Sequence, residues 1–328
     1  MPVYRCNQCG HISESPTAGV QVACAKCQTP CSVFDTAFYV GKLIERYTAA
    51  MREIKALQAE DKPEPAEAPQ EVPTDAPQAP TDTVESPLNT AAQHAPIENW
   101  LKSQQVEAQF DHSSVDTSGY FDEAAQQLGL QYDLLGELIQ RVAYAYRKDH
   151  TGLNINLAEV GQKDAQAIHN LCRQLYSHTL FARYHYQKQD KVMRLSLQSA
   201  PKVRQFFTGA WLEWFALMES ISALQQRKLA FSCARGVKVL FPNEDVHELD
   251  VVVLPSGRPP ICIECKAGEF RRDISKYQRL RKRLDVEPAR FLICSTEISD
   301  EQAGSLSAMY DLTFVSLGAL PRQLASIL

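Results

Sequence analysis

The sequence lacks any long apolar run. No stretch approaches the ~18 to 20 uncharged residues that a membrane-spanning helix needs. Its first residues also lack the apolar segment of a signal peptide and carry cysteine pairs instead. With 45% hydrophobic and 22% charged residues, the composition is typical of a soluble protein with enough apolar side chains for a core. We therefore expect a cytoplasmic protein.

Aromatic residues are absent from residues 62–96, which contain eight prolines. From Glu60 to Glu98, nine acidic residues stand against one lysine. Such a stretch cannot bury enough apolar surface to offset its chain entropy, so residues 61–97 are predicted to form a disordered acidic linker. The acidic linker accounts for the net charge of −5. Residues 201–328 contain 17 Lys plus Arg against 15 Asp plus Glu, so the charge of this part does not exclude binding of nucleic acid.

Three further segments precede the C-terminal part. Residues 1–34 are rich in cysteine, and residues 35–60 have apolar side chains at helical spacing with no proline, which predicts one amphipathic helix. Residues 98–200 are predicted to form helices over 120–149 and 162–178. A hairpin with the polar tip QKQDK follows them, because apolar and polar side chains alternate on both sides of that tip.

Helices followed by a hairpin are typical of a winged helix. In such a module one helix reads a nucleic-acid groove and the hairpin contacts phosphates. The hairpin has suitable basic side chains, Arg183, Lys188, Lys191 and Arg194. A packing or dimerisation module with a solvated hairpin explains the same pattern, so both interpretations stay open. A turn at Gly129 is predicted within the first helical stretch.

Residues 201–328 alternate helices and strands in the order α-β-β-β-α-β-α-β-α. This order predicts an α/β domain with a mixed sheet flanked by helices. The predicted elements are a helix at 206–227, a strand at 237–241, two strands within 247–266, a helix at 273–284, a strand at 290–295, a helix at 300–310, a strand near Phe314 and a final helix.

Two of these strands, in HELDVVVLPSGRPPICIECK (247–266), carry charges beside apolar runs. If the turn centres on Gly257, antiparallel partners have numbers that sum to 514, which places Asp250 opposite Glu264. Side chains alternate along a strand, so Glu264 and Lys266 share a face. Two carboxylates that face each other repel, and we therefore expect a cation between them.

A third acid comes from the preceding helix. Glu213 is the only charged residue in the apolar run GAWLEWFALM, so its side chain must find water, a partner or a metal. Lys266 supplies a single positive charge, which is too little for three carboxylates. Oxygen ligands of this kind favour a hard cation, Mg²⁺ or Mn²⁺.

The pattern of Asp250, thirteen residues, then Glu264-x-Lys266, with an acid on the preceding helix, resembles the PD-(D/E)XK nuclease superfamily. The runs GAWLEWFA, ELDVVVL, IECK and RFLICS are most similar to the nuclease domain of CRISPR-ancillary nucleases activated by cyclic oligoadenylates. The resemblance implies a restriction-endonuclease-like fold. It also implies that Asp250, Glu264, Glu213 and the carbonyl of Cys265 ligate the metal, while Lys266 positions or activates the attacking water.

The resemblance is confined to residues 201–328. The α/β sensor domain of those nucleases is not recognisable upstream, which argues against activation by a cyclic nucleotide. Related nucleases often pair two active sites, so the resemblance also implies a homodimer. The sequence itself does not reveal an interface.

A basic run, RRDISKYQRLRKR, follows the hairpin and has seven basic residues against one acid. Beside a phosphodiesterase site these side chains would hold the nucleic-acid backbone. A solvated helix face is the alternative. The residues assigned to nucleic-acid binding are Arg271, Arg272, Lys276, Arg279 and Lys282.

The N-terminal cysteines form two CxxC pairs, Cys6 with Cys9 and Cys24 with Cys27, separated by fourteen residues. The spacing resembles a zinc ribbon, in which four thiolates hold a structural Zn²⁺ and stabilise a unit that lacks a core. Cys31 is spare and could replace Cys27. A redox pair is the alternative, but no βαβ pattern surrounds these cysteines.

The sequence thus predicts a metal-dependent endonuclease that hydrolyses DNA or RNA, in nucleic-acid defence. The alternative is a catalytically inert nucleic-acid-binding protein that uses the zinc ribbon and the winged helix. An adaptor with the linker as its partner-binding segment has only compositional support.

Overall fold

The computed structural model describes residues 2–5, 11–17, 20–33, 35, 88–241 and 246–328. The chain divides into two compact units, Met1–Thr81 and Asp82–Leu328. Apart from Asp35, the predicted helix at 35–60 lies outside the described residues, as do residues 61–87 of the predicted linker. In the described part of the chain, no helix combines the length and the apolar character needed to span a bilayer.

The first unit contains two short antiparallel strand pairs, β1 with β2 and β3 with β4. Among its described residues, Tyr4, Cys24, Cys31 and Val33 are buried together in one hydrophobic cluster. The strands are β1 (Val3–Arg5), β2 (Ile12–Glu14), β3 (Gln21–Ala23) and β4 (Pro30–Ser32).

The second unit is built on a six-stranded mixed sheet with the order β13-β12-β11-β10-β9-β5. Strands β11, β12 and β13 are parallel to one another, whereas β10, β9 and β5 pair antiparallel with their neighbours. The predicted mixed sheet is confirmed. Its strands are β5 (Glu107–Gln109), β9 (Phe231–Leu240), β10 (Val246–Pro255), β11 (Ile261–Lys266), β12 (Phe291–Ser295) and β13 (Thr313–Ser316).

Helices cover both faces of this sheet, as predicted. Side chains that alternate along the strands enter two separate cores: Ile263 packs with the helices of one face, and Cys262 with those of the other. The first face carries α2 (Phe121–Leu130), α3 (Tyr132–Arg147), α4 (Gln162–Ser177), α6 (Trp211–Gln226) and α9 (Leu320–Ile327), with the short α5 (Pro201–Gln205) beside them. The second face carries α1 (Ala91–Ser103), α7 (Ile274–Arg283) and α8 (Asp300–Met309).

A separate antiparallel sheet has the order β6-β8-β7. The predicted hairpin is confirmed as β7 (Phe181–Gln187) and β8 (Val192–Leu197), and β6 (Gly152–Asn156) adds a strand that the sequence did not predict. The winged-helix interpretation stays a prediction. The four basic side chains assigned to the hairpin are all exposed, namely Arg183, Lys188, Lys191 and Arg194.

Ordered structure begins earlier than predicted. Helix α1 starts at Ala91, so the prediction of a disordered linker up to residue 97 is wrong from that point onward. The side chain of Thr90 caps the helix by accepting a hydrogen bond from the Gln93 N–H, and Ile97 is fully buried against the sheet. The predicted modules 98–200 and 201–328 share one hydrophobic core within the second unit.

Gly129 is not a turn residue. It lies inside α2, and the break between α2 and α3 falls at Gln131. A Cβ atom on Gly129 would lie 2.2 Å from the ring of Phe215, so the absence of a side chain lets α2 pack closely on α6.

Candidate active site

The β10–β11 hairpin has the predicted register. Val251 pairs with Ile263, whose numbers sum to 514, and the same register places Asp250 opposite Glu264. Gly257 adopts φ +71° in the turn, a conformation that favours glycine. Turn and register therefore bring the two acids to neighbouring positions at one end of the hairpin.

Asp250, Glu264 and Lys266 converge, as predicted. Lys266 Nζ lies 3.0 Å from Asp250 Oδ2 and 3.5 Å from Glu264 Oε2. Asp250 Oδ2 also accepts a hydrogen bond of 2.7 Å from the backbone N–H of Cys265. The ammonium group lies 5.5 Å from the ring centroid of Tyr277 on α7. In this structure the two acids share the single ammonium group of Lys266, and the catalytic roles stay predictions.

Glu264 is the most buried member of this group, with 3% of its side chain exposed. Its Oε1 atom has no hydrogen-bond partner among the described residues. Burial and the neighbouring charge of Asp250 raise the pKa of Glu264 above its ordinary value, while Lys266 and Lys276 oppose the shift. Burial alone would lower the pKa of Lys266, but the two carboxylates raise it, and the net direction is upward.

Glu213 approaches the site from α6, on the other face of the sheet, and binds a different partner. Its Oε2 atom accepts a hydrogen bond of 2.7 Å from Arg235 Nη1. Burial and Asp250 raise the pKa of Glu213 to about 7, against the effect of Arg235. No group of three or more acidic, histidine or cysteine side chains in the described ranges could hold a metal. The expected three-acid cluster is therefore reduced to the pair Asp250 and Glu264, because Arg235 binds Glu213.

Arg235 is a residue of the site that was not predicted from the sequence. Its Nε atom donates to the carbonyl of Ser114 at 2.9 Å, and its guanidinium lies 4.6 Å from the ring centroid of Trp214. The strand sequence SCARGVKV places this charge among apolar and small residues, but Lys238 follows in the same strand, so the signal is weaker than the one that singled out Glu213. The helix and the strand each carry a charged side chain in a mostly apolar stretch, and this could have suggested that Glu213 and Arg235 form an ion pair.

The basic residues of α7 and its N-terminal turn divide into two groups. Arg271, Arg272, Arg279 and Lys282 are exposed, whereas Lys276 is half-buried and close enough to Glu264 to lower its pKa. Arg281, from the same run, is buried: it donates to the Val286 carbonyl and pairs with Asp311. This arginine is therefore structural, and the nucleic-acid-binding role of the five assigned residues stays a prediction.

Only half of the predicted zinc site can be described. Cys6 and Cys9 lie outside the described residues. The Sγ atom of Cys24 accepts a hydrogen bond of 3.4 Å from the backbone N–H of Lys26. Gln28, directly after Cys27, has φ +61° and donates to the carbonyl of Cys24. The chain from Cys24 to Gln28 thus forms a tight turn that directs an amide toward a sulfur.

No protein-family model matches the chain, and no curated protein matches it. Among solved structures, protein VC1899 from Vibrio cholerae is 18% identical with a TM-score of 0.49, over 70% of this chain and 59% of that one. Can2 from Sulfobacillus thermosulfidooxidans, in complex with cyclic tetra-adenylate, is 14% identical with a TM-score of 0.48, over 70% and 60%. The chain spans less than two thirds of the length of either structure.

Proposed function

We propose that the second unit is a divalent-metal-dependent phosphodiesterase that hydrolyses nucleic acid, with Asp250, Glu264 and Lys266 as its catalytic residues. The observation that carries this proposal is the environment of the Glu264 carboxylate. Its side chain is almost fully buried, one oxygen has no partner among the described residues, and a second carboxylate lies across the hairpin. Such an arrangement is unfavourable by several kcal/mol unless cations neutralise it.

The donor set fits Mg²⁺ or Mn²⁺. Asp250 and Glu264 offer hard carboxylate oxygens, and Mg²⁺ is commonly bound by one or two carboxylates together with substrate phosphates. These two residues would hold the ion, with the carbonyl of Cys265 as a further proposed ligand. When bound, the ion supplies a hydroxide at neutral pH and neutralises charge that develops on the phosphate. The restriction-endonuclease-like fold suggested by the sequence is part of this proposal.

The side chains of the site have distinct tasks. The raised pKa of Lys266 keeps its ammonium group protonated at neutral pH, so it acts as a donor that orients a phosphate oxygen or the attacking water. Asp250 holds Lys266 through Oδ2 and is itself held by the Cys265 N–H. The aromatic ring of Tyr277 shields this ammonium group from solvent on one side.

The test is hydrolysis of plasmid, linear DNA and RNA by the purified full chain with Mg²⁺ or Mn²⁺. Glu264→Gln keeps the shape of the side chain and removes its charge, and we expect it to abolish metal-dependent hydrolysis. Lys266→Ala should do the same. Glu269→Gln replaces an exposed acid three residues after Lys266 and should leave hydrolysis unchanged. Hydrolysis that survives Glu264→Gln, or no hydrolysis by the wild type, contradicts the proposal, and the latter result favours an inert nucleic-acid-binding protein.

We also propose that the first unit binds a structural Zn²⁺ through Cys6, Cys9, Cys24 and Cys27. The backbone N–H of Lys26 that donates to Cys24 Sγ supports this proposal, because hydrogen bonds of this kind orient the ligands of a metal.

A further inference from the structure

A groove of about 700 Å³ begins directly beyond the proposed catalytic lysine. Ala267, the residue after β11, and Glu297, just beyond β12, line one side of it, and exposed residues of α3 line the other. Strands β11 and β12 are parallel, so their carboxyl ends lie at the same edge of the sheet. Ligands of open α/β sheets are usually bound at this edge. The groove thus adjoins the strand end that carries Glu264 and Lys266.

The C-terminal end of α3 is basic where it borders the groove, whereas Glu137 lines the groove earlier on the same helix. Arg147 lines it at the end of the helix, and Lys148 follows directly. Arg141 also lines it but is engaged locally, since it donates to the Asn154 carbonyl at 2.6 Å and lies 3.9 Å from Glu137. Arg147 and Lys148 therefore supply positive charge next to a proposed phosphodiesterase site.

An exposed aromatic ring lies one helical turn before these charges. Tyr144 is 53% exposed and lines the groove. Lys148 Nζ lies 5.9 Å from the ring centroid, and the His150 ring packs edge-on at 6.2 Å. Exposed aromatic rings flanked by cations are the surfaces on which single-strand-binding proteins stack bases while the cations follow the backbone.

We infer that this groove binds the strand to be cleaved, as single-stranded nucleic acid with one base stacked on Tyr144. The inference rests on the proposed function and adds to it a substrate class and a binding residue. A duplex keeps its bases stacked on each other, so the Tyr144 ring reaches a base only where the strand is unpaired. Arg147 and Lys148 lie one turn along the same helix face, where they contact the phosphates that flank this base.

Fluorescence anisotropy tests the inference. The full chain is titrated in EDTA, where no hydrolysis occurs, against a fluorescein-labelled oligodeoxythymidylate and against a duplex of equal length. Stacking of one base contributes enough free energy that Tyr144→Ala should weaken single-strand binding about 5- to 100-fold. Tyr144→Phe keeps the ring and should bind like the wild type. Tyr176→Ala is the matched control, because Tyr176 is 45% exposed on α4 and does not line the groove.

Three results overturn the inference: equal single-strand affinity of wild type and Tyr144→Ala, an equal loss in Tyr176→Ala, or a tighter complex with the duplex than with the single strand. The hydrolysis assay separates this inference from the proposed function. A Tyr144-dependent complex without hydrolysis contradicts the phosphodiesterase and supports the groove. Hydrolysis together with single-strand binding that does not depend on Tyr144 contradicts the inference about the groove and leaves the proposed function intact.

Discussion

Replacing Glu213 with Gln tests the electrostatics of the site in the metal-free protein. Burial and Asp250 raise the pKa of Glu213 from 4.5 to about 7. The native state therefore binds more protons than the unfolded state between these two values, and stability falls as the pH rises through this window. At about 1.4 kcal/mol per pKa unit, the ionised carboxylate lowers the free energy of unfolding by roughly 3 kcal/mol above pH 7. Glu213→Gln removes this effect and keeps an oxygen that accepts from Arg235.

The measurement is urea unfolding in EDTA, followed by tryptophan fluorescence, for wild type and Glu213→Gln from pH 5 to pH 8. The free energy of unfolding of Glu213→Gln minus that of the wild type should increase by about 2.5 kcal/mol from pH 5 to pH 8. Asp250→Asn in both backgrounds should reduce that growth, because Asp250 contributes to the shift. Glu137→Gln, at a side chain that is 85% exposed, is the control and should show no growth. A difference that stays constant, or favours the wild type at pH 8, would refute the reasoning.

Three other predictions follow from individual contacts. Lys266→Met removes the cation between Asp250 and Glu264 and should lower the free energy of unfolding by about 3 kcal/mol at pH 8, and by less at pH 5, where Glu264, whose pKa is raised by burial and by Asp250, can take up a proton; equal losses at the two pH values would contradict it. Gly129→Ala should destabilise by roughly 1–3 kcal/mol through its clash with Phe215, whereas Gly304→Ala, in a helix with nothing within 4 Å, should be neutral or stabilising in the same thermal-unfolding assay. Elemental analysis should find one Zn²⁺ per chain in the wild type and in Cys172→Ala, and none in Cys24→Ser; zinc retained in Cys24→Ser would exclude the proposed ligand set.

Much of the second unit could be predicted because its signals are local. The turn at Gly257 and the alternation of β10 and β11 are enough to derive the register that places Asp250 opposite Glu264. The order of elements after residue 201 is likewise predictable from periodicity, and the structure confirms that order. Two bounds differ: β9 begins at Phe231 instead of residue 237, and α6 begins at Trp211 after a π-helical segment, Phe206–Ala210.

Features that depend on long-range packing were missed. Residues 91–97 resemble the linker in composition, and they are helical because Ile97 packs against a sheet formed more than a hundred residues later. Gly129 was predicted as a turn residue, but the glycine is needed because Phe215 packs against it. The Glu213–Arg235 pair joins a helix to a strand, so neither residue alone predicts the other, and the expected third ligand is bound to an arginine instead.

The central claim is that Asp250 and Glu264 form a divalent-ion site, and titration with Mn²⁺ followed by electron paramagnetic resonance tests it most directly. The wild-type chain should bind one Mn²⁺ that Mg²⁺ displaces. Glu264→Gln and Asp250→Asn should each lose this ion, while Glu269→Gln keeps it. Mn²⁺ binding that is unchanged in Glu264→Gln, or absent from the wild type, would contradict the claim.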